Sequence, residues 1–180
     1  AVAGSGKAVL KLVSERAIHK SDVNAVLLDI GSADAAAEGY ERLMSIARGL
    51  GDSEARVLVT GMIAKGTECM VGARHDPQFG PVVLVGTGGV LVELTHDMAI
   101  RLAPFDAAAA AALIERTKLG RLLAGYRGSL PADQTALADL VAAISRFAAG
   151  ATDMLELDLN PIIVNAAGAH IADARIIIRS

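Results

Sequence analysis

The order of the apolar segments constrains this chain most, because several strand-like segments follow one another through short turns instead of through helices. The segment HDPQFG at residues 75–80 is one such turn, and GTGG at residues 86–89 is another. This succession favours an α+β fold with a mixed sheet over a doubly wound parallel sheet. The predicted strands are residues 7–14, 56–63, 67–74, 81–85, 90–95, 98–102, 154–159, 161–165 and 170–178.

Helical apolar spacing occurs in three places between these strands. Ser32 is a suitable N-cap for a helix that ends near residue 49, and Asp106 is one for an alanine-rich helix that continues to about residue 118. A further helix is predicted over residues 133–149. Its apolar stripe consists of Leu137, Leu140, Val141, Ile144 and Phe147.

Composition removes several classes of function. The net charge is -3 without clustered lysine and arginine, which argues against a general nucleic-acid binder. Cys69 is the single cysteine, so an internal disulfide is excluded, and it is expected to be a small core residue. No stretch of 18 apolar residues occurs, so the sequence predicts no membrane span and a cytoplasmic protein.

The segment MLELDLNP at residues 154–161 has the sharpest chemical pattern. Glu156, Asp158 and Asn160 recur at every second position, so they should lie on one face of a strand, with the leucines on the other. Carboxylate and amide oxygens suit a hard cation such as Mg²⁺. Asp173, placed in a strand that returns after a turn, could lie beside Asn160. A solvated polar strand face is the alternative.

Three other features have both a functional and an ordinary interpretation. Gly86 to Gly89 would let the backbone approach a ligand closely, or would simply form a tight turn. His19 could accept a phosphoryl group with Asp22 fixing its tautomer, or could be an exposed loop residue. Lys11 stands among apolar residues, so it requires a phosphate or carboxylate partner unless its strand is an edge strand open to water.

Taken together, these segments resemble one family over residues 7–178. The motifs are VLK-x-x-S followed by HKSDV, DPQFGPVV at residues 76–83, RLAP at residues 101–104, ELDLNP and a C-terminal DAR. They are similar to the ATP-grasp domain of the ADP-forming acyl-CoA synthetases, the family of acetate–CoA ligase (ADP-forming). The resemblance implies an ATP-grasp fold that lacks the strand and helix usually preceding the VLK strand. It also implies a nucleotide-binding lobe over residues 1–60 and a phosphate and metal lobe over residues 61–180.

The resemblance also implies roles for individual residues. Lys11 would contact nucleotide phosphates, and the backbone of Thr60, Gly61 and Met62 would contact the adenine. His19 would be a second phosphohistidine, with Arg101 and the loop of Gly86, Gly88 and Gly89 near the transferred phosphate. Asn160 and Asp173 would bind Mg²⁺, supported by Glu156 and Asp158. Two positions depart from the family pattern: Asn24 and Ala25 replace two glycines, and Thr60 replaces a common glutamine.

The expected function is therefore nucleotide and Mg²⁺ binding within an ADP-forming acyl-CoA synthetase that transfers phosphate between a phosphohistidine and ADP. The partners implied are CoA-binding and CoA-ligase domains, on the same chain or another subunit, in an oligomeric enzyme. The acyl-CoA would be handled there, and this fragment alone should be inactive. One rival is a non-catalytic, synthetase-like regulatory module of a protein acetyltransferase. A second is an ATP-grasp carboxylate–amine ligase, which would have no phosphohistidine.

Overall fold

The chain divides into two units, Ala1–Ala64 and Lys65–Ser180. The computed structural model describes residues 6–14, 16, 25–88 and 97–179. His19, Gly89 and the predicted strand at residues 90–95 lie outside the described residues. In the described part of the chain, no helix is long and apolar enough to cross a membrane.

The first unit contains a three-stranded antiparallel sheet and one helix. Its elements are β1 (Ala8–Val13), β2 (Val26–Ile30), α1 (Ala33–Gly49) and β3 (Arg56–Gly61). The strand order is β2-β1-β3, so β1 is central. Leu10 and Leu12 of β1 join Leu43 and Ala47 of α1 in a buried cluster. As predicted, the hydroxyl of Ser32 caps α1 by accepting a hydrogen bond from the backbone N–H of Ala35.

The second unit contains a six-stranded sheet and three helices among its described residues. The strand order is β6-β5-β4-β7-β8, with β9 also paired to β7, and all these pairings are antiparallel. The elements are β4 (Thr67–Asp76), β5 (Gly80–Thr87), β6 (Met98–Leu102), α2 (Ala107–Glu115), α3 (Lys118–Leu123), α4 (Gln134–Gly150), β7 (Met154–Asn165), β8 (Gly168–Ile171) and β9 (Ala174–Ile178).

One face of this sheet forms a core with the helices. Val71, Val83 and Leu157 from three strands are buried in the same cluster as Leu113 of α2 and Leu137 of α4. Cross-strand partners share a face of a sheet. The residues between the buried ones therefore lie on the opposite face, and that face carries the polar positions of β7. The α+β prediction is confirmed.

Several predicted boundaries are wrong, and β2 was not predicted. Residues 154–165 form one strand instead of two. Pro161 lies at a bulge, where the register of β7 against β4 shifts. A strand can continue through a proline there, because a bulge tolerates a residue without an N–H. The predicted strand at residues 170–178 is interrupted between Ile171 and Ala174. The alanine-rich helix ends at Glu115 and does not continue to residue 118. A separate short helix, α3, begins at Lys118.

Two predicted apolar contacts are also absent from the core. Leu155 is 42% exposed, since the register of β7 against β9 shifts between Met154 and Glu156 and the side-chain alternation is interrupted there. Phe147 is 48% exposed because it lies at the margin of the stripe that α4 buries.

Candidate functional site

The polar residues of β7 form a strip on one face of the second unit's sheet. Glu156 is paired with Arg74 of β4, and Asp158 with Gly72, without a register shift between them. Leu157, which alternates with them, is only 4% exposed and lies in the core. The predicted separation of carboxylates and leucines on opposite faces therefore holds for this part of the strand. Glu156 and Asn160 are exposed, and Asp158 is half-buried.

Asp173 lies next to Asn160, but it is not part of a strand, although the sequence predicted one over residues 170–178. It occupies the break between β8 and β9. The backbone N–H of Asn160 donates to the carbonyl oxygen of Asp173 at 3.2 Å, and Ala172 N–H donates to the Pro161 carbonyl at 3.0 Å. The two candidate metal ligands are thus joined through the backbone. Binding of one metal ion by both side chains stays a prediction.

The electrostatics of this strip centre on Asp158. Burial raises the pKa of its carboxyl most, and the nearby negative charges of Glu156 and Asp173 raise it further. Arg175, which is paired with Asp158 across β7 and β9, opposes this and lowers the pKa. Carboxylates that repel one another gain from a nearby cation, because the cation stabilises their ionised form. A cation beside Asp158 would therefore stabilise its ionised form, and binding of a cation here stays a prediction.

The oxygen donors of this strip are of the kind that magnesium binds. Within residues 6–14, 16, 25–88 and 97–179, no group of three or more His, Cys, Asp and Glu side chains is arranged to hold a metal ion. Mg²⁺ usually takes only one or two protein carboxylates and completes its shell with water and phosphate oxygens. An amide oxygen from Asn160 with one or two carboxylates matches that requirement.

Arg101 is on the other face of this sheet. It is paired with Val83, which is paired with Ala73, which in turn is paired with Leu157. Arg101 therefore lies on the helix-covered side, where its guanidinium stands over the ring of Phe105 at 5.7 Å. The structure does not bring Arg101 to the polar strip of β7, and its proximity to a transferred phosphate stays a prediction.

Gly86 and Gly88 are required by the packing of the strands. A side chain on Gly86 would place a Cβ 2.7 Å from the carbonyl oxygen of Asp97, and one on Gly88 would place it 2.8 Å from the backbone nitrogen of Cys69. Gly88 N–H also donates to the Glu68 carbonyl at 2.9 Å. These contacts supply a structural reason for both glycines. Gly88 also borders a groove of about 490 Å³ whose lining includes Lys118, Arg121 and Tyr126.

Lys11 and Thr60 share a face of the first unit's sheet. Lys11 is paired with Leu58 and Val9 with Thr60, so these side chains project away from the α1-facing residues Leu10 and Leu12. Lys11 is only 8% exposed and β1 is the central strand, so the edge-strand alternative is wrong.

The segment from Thr60 to Met62 continues along β3 and just beyond it. Gly61 is the last residue of β3 and is paired with Ala8. Met62 N–H donates to the Lys7 carbonyl at 3.0 Å. The backbone N–H of Met62 is therefore hydrogen-bonded within the first unit. The predicted contact with adenine would have to come from other backbone groups of this segment.

Two further residues clarify the chemistry. Cys69 is fully buried, and burial raises the pKa of its thiol to about 12, so it is a core residue and not a nucleophile, as expected. Arg175 has a charge role that was not predicted from the sequence. The DAR motif contained it, but its pairing with Asp158 depends on the irregular register of β7 and β9.

Comparison with known proteins gives consistent matches over almost the whole chain. The profile of a family described as ATP-grasp domain matches residues 2–178. Acetate–CoA ligase (ADP-forming) I of Archaeoglobus fulgidus is 38% identical over 171 residues, covering 94% of this chain and 25% of that protein. The β subunit of acetate–CoA ligase (ADP-forming) I of Pyrococcus furiosus is 37% identical over 172 residues, covering 94% of this chain and 74% of that subunit.

A solved structure extends the likeness to three dimensions. It is the dinucleotide-forming acetyl-coenzyme A synthetase 1 of Ca. Korarchaeum cryptofilum, with a TM-score of 0.84 and 36% identity. The match covers 96% of this chain and 76% of that chain. That protein is in complex with coenzyme A and Mg-AMPPCP, and its phosphohistidine segment points towards the nucleotide-binding site.

Proposed function

The chain belongs to the ATP-grasp domain family, and on this premise we propose that it is the nucleotide- and magnesium-binding part of an ADP-forming acyl-CoA synthetase. One observation carries the proposal: the chain aligns over 94% of its length with the β subunit of an acetate–CoA ligase that forms ADP. The chain spans only a quarter of the Archaeoglobus ligase. The remaining steps of the reaction therefore belong to parts that this sequence does not contain.

The reaction assigned to this part is a phosphoryl transfer between His19 and the nucleotide. In the direction of ATP synthesis, the P–N bond of phosphohistidine breaks and a P–O bond to the terminal phosphate of ADP forms. The phosphorylated ring carries a proton on its other nitrogen, so the imidazole leaves as a neutral group that can accept the next phosphoryl group. Such a transfer needs positioning and charge stabilisation more than further covalent chemistry.

The family resemblance implies a role in this step for residues of each unit. Asn160 and Asp173 would hold the magnesium ion, with Asp158 and Glu156 beside them, and the ion would offset negative charge on the phosphates. Lys11, buried in the central strand of the first unit, would contribute a positive charge towards the nucleotide phosphates. The backbone from Thr60 to Met62 would contact the base.

The complete enzyme would also contain CoA-binding and CoA-ligase domains. The Pyrococcus relative is a β subunit, whereas the Archaeoglobus relative is much longer than this chain, so the domains can stand on a second subunit or on the same chain. We place the enzyme in the cytoplasm, where its nucleotide and CoA substrates are found, and expect it to be oligomeric. The regulatory-module alternative and the amide-forming alternative gain no support from these relatives, which are named as CoA ligases and synthetases.

The test is a histidine substitution in the complete enzyme. His19→Asn should abolish ATP formation from acyl-CoA, phosphate and ADP, because the intermediate carrier is lost. The family resemblance implies a first phosphohistidine in the CoA-ligase domain, and its phosphorylation should persist. The dissociation constant for ADP should change by less than about tenfold, or 1.4 kcal/mol.

His170→Asn is the matched control, since His170 lies in β8 outside any motif and should leave ATP formation unchanged. Formation of ATP by the His19→Asn enzyme at a near wild-type rate would refute the proposed function.

A further inference from the structure

Arg175 lies beside the candidate magnesium ligands, on the polar face of the second unit's sheet. It is paired with Asp158 across β7 and β9, and partners across two strands share a face. The hydrogen bond from the Asn160 N–H to the Asp173 carbonyl continues the pairing of the two segments beyond β9. Asn160 and Arg175 are therefore diagonal neighbours, which lie about 7–8 Å apart on one face of a sheet.

The guanidinium of Arg175 is not held in a short ion pair. No salt bridge involves Arg175 within the described residues, and its side chain is exposed. Its charge nevertheless acts on the Asp158 carboxyl, where it opposes the negative charges of Glu156 and Asp173. The three carboxylates thus have a permanent positive charge among them, because arginine stays protonated at any pH at which the protein is folded.

A permanent positive charge beside a metal site acts in opposite directions on a metal ion and on a phosphate. It repels a dication and attracts phosphate oxygens by the same Coulomb law. Guanidinium groups also donate charge-assisted hydrogen bonds to phosphate. Arg175 should therefore disfavour a bare metal ion at Asn160 and favour a nucleotide whose phosphates approach the same strip.

We propose that Arg175 makes magnesium binding at this strip dependent on the nucleotide. The inference rests on the proposed function, in which Asn160 and Asp173 hold the ion. Before the nucleotide is bound, the guanidinium compensates part of the negative charge of Asp158 and keeps the affinity for free Mg²⁺ low. Once phosphates are bound, their negative charge offsets the guanidinium and the repulsion of the ion is removed. Arg175 is thus a specificity-determining residue that admits Mg²⁺ with its nucleotide and not alone.

The experiment measures metal and nucleotide binding separately in the complete enzyme. Mn²⁺, which accepts the same oxygen ligands as Mg²⁺, is titrated without nucleotide, and the electron paramagnetic resonance signal reports the free ion. Arg175→Gln should bind Mn²⁺ about 5- to 30-fold more tightly than wild type, which is the repulsion expected between a unit charge and a dication about 8 Å apart in a medium close to water. Isothermal titration with ADP in EDTA should show the opposite change, with binding weaker by about fivefold or more. A general loss of structure would weaken both.

Two control variants separate the position of the charge from its presence. Arg175→Lys keeps the positive charge and should bind Mn²⁺ within about twofold of wild type. Arg74→Gln removes the same charge from the same face, where Arg74 is exposed and paired with Glu156. Glu156 is four residues before Asn160, which is about 13 Å along the strand and beyond the Debye length of about 10 Å in 0.1 M salt. Arg74→Gln should therefore leave the Mn²⁺ affinity within about twofold of wild type in 0.1 M salt.

Failure of the inference and failure of the proposed function give different results. If wild type binds ADP no more tightly with Mn²⁺ than in EDTA, and Asp173→Asn changes neither value, the proposed function fails and the inference with it. If Mn²⁺ strengthens ADP binding in wild type but Arg175→Gln binds free Mn²⁺ no more tightly than wild type does, the inference alone is overturned. Equal tightening by Arg74→Gln and Arg175→Gln would also overturn it, because the effect would then come from net charge.

Discussion

Ser145 is expected to hold the end of the RLAP segment against α4, and its removal should destabilise the second unit. Ser145 is fully buried. Its hydroxyl accepts a hydrogen bond from the backbone N–H of Phe105 at 3.1 Å. Its single proton lies within donating distance of two carbonyl oxygens, that of Phe105 at 2.9 Å and that of Ala142 at 2.8 Å, and is shared between them. One side chain thus contacts both polar backbone groups of Phe105.

Ser145→Ala would leave the N–H and the carbonyl of Phe105 without this partner. A buried polar group left unpaired costs about 1–3 kcal/mol. Phe105 is only partly buried, so the lower end of that range applies to each of its two groups, and the loss should be about 2 kcal/mol. For a chain of this size, about 2–4 °C of melting temperature correspond to each kcal/mol, which gives a decrease of about 4–8 °C.

Urea unfolding monitored by circular dichroism measures the effect. The midpoint should decrease while the slope with urea stays constant, because the amount of surface exposed on unfolding does not change. Ser129→Ala is the matched control. Its hydroxyl donates to the Tyr126 carbonyl at 2.9 Å in an exposed turn, and its loss should change the stability by less than about 0.5 kcal/mol. If Ser145→Ala were as stable as this control, the backbone of Phe105 would not depend on Ser145, and the reasoning would be refuted.

Two further predictions concern the polar strip of β7. Asp173→Asn in the complete enzyme should reduce turnover by at least about 100-fold. Substituting residues that only hydrogen-bond to a metal ligand costs at most about that much, and loss of a ligand should cost more. A loss below tenfold would contradict the assignment of Asp173 as a Mg²⁺ ligand. Asp158→Asn should raise the melting temperature of the metal-free protein at pH 7. Burial and the charges of Glu156 and Asp173 raise the pKa of the Asp158 carboxyl, and Arg175 opposes them. Ionisation of Asp158 therefore opposes folding. Wild type loses stability as the pH rises from the pKa of the unfolded state, about 3.9, through the higher pKa of the folded state. This gain in melting temperature should disappear below about pH 3, where Asp158 is protonated in both the folded and the unfolded state. A variant less stable than wild type at pH 7 would show that Arg175 stabilises the ionised Asp158 instead.

The sequence alone determined the elements whose signals are local. Ser32 and Asp106 cap α1 and α2 as predicted, because a cap depends on a side chain and an N–H three residues away. β6 was predicted at its observed bounds, and β1 to within a residue at each end. The polar strip of β7 followed from the two-residue period of a strand. The family was recognised from motifs that occur in order along the chain.

Tertiary structure decided what depends on the pairing of distant strands. The register of β7 shifts against β9 between Met154 and Glu156, and this shift leaves Leu155 exposed. It also shifts against β4 near Pro161, so the strand continues through that proline. The same pairings put Arg101 on the face opposite Asp158 and bring Asp173 to the backbone of Asn160. Residues in register can be dozens of positions apart, and one inserted residue reverses the face of every side chain beyond it. No local pattern encodes that reversal. The sequence therefore predicted the shared face of Glu156 and Asp158 and the proximity of Asp173 to Asn160, but not the face on which Arg101 lies.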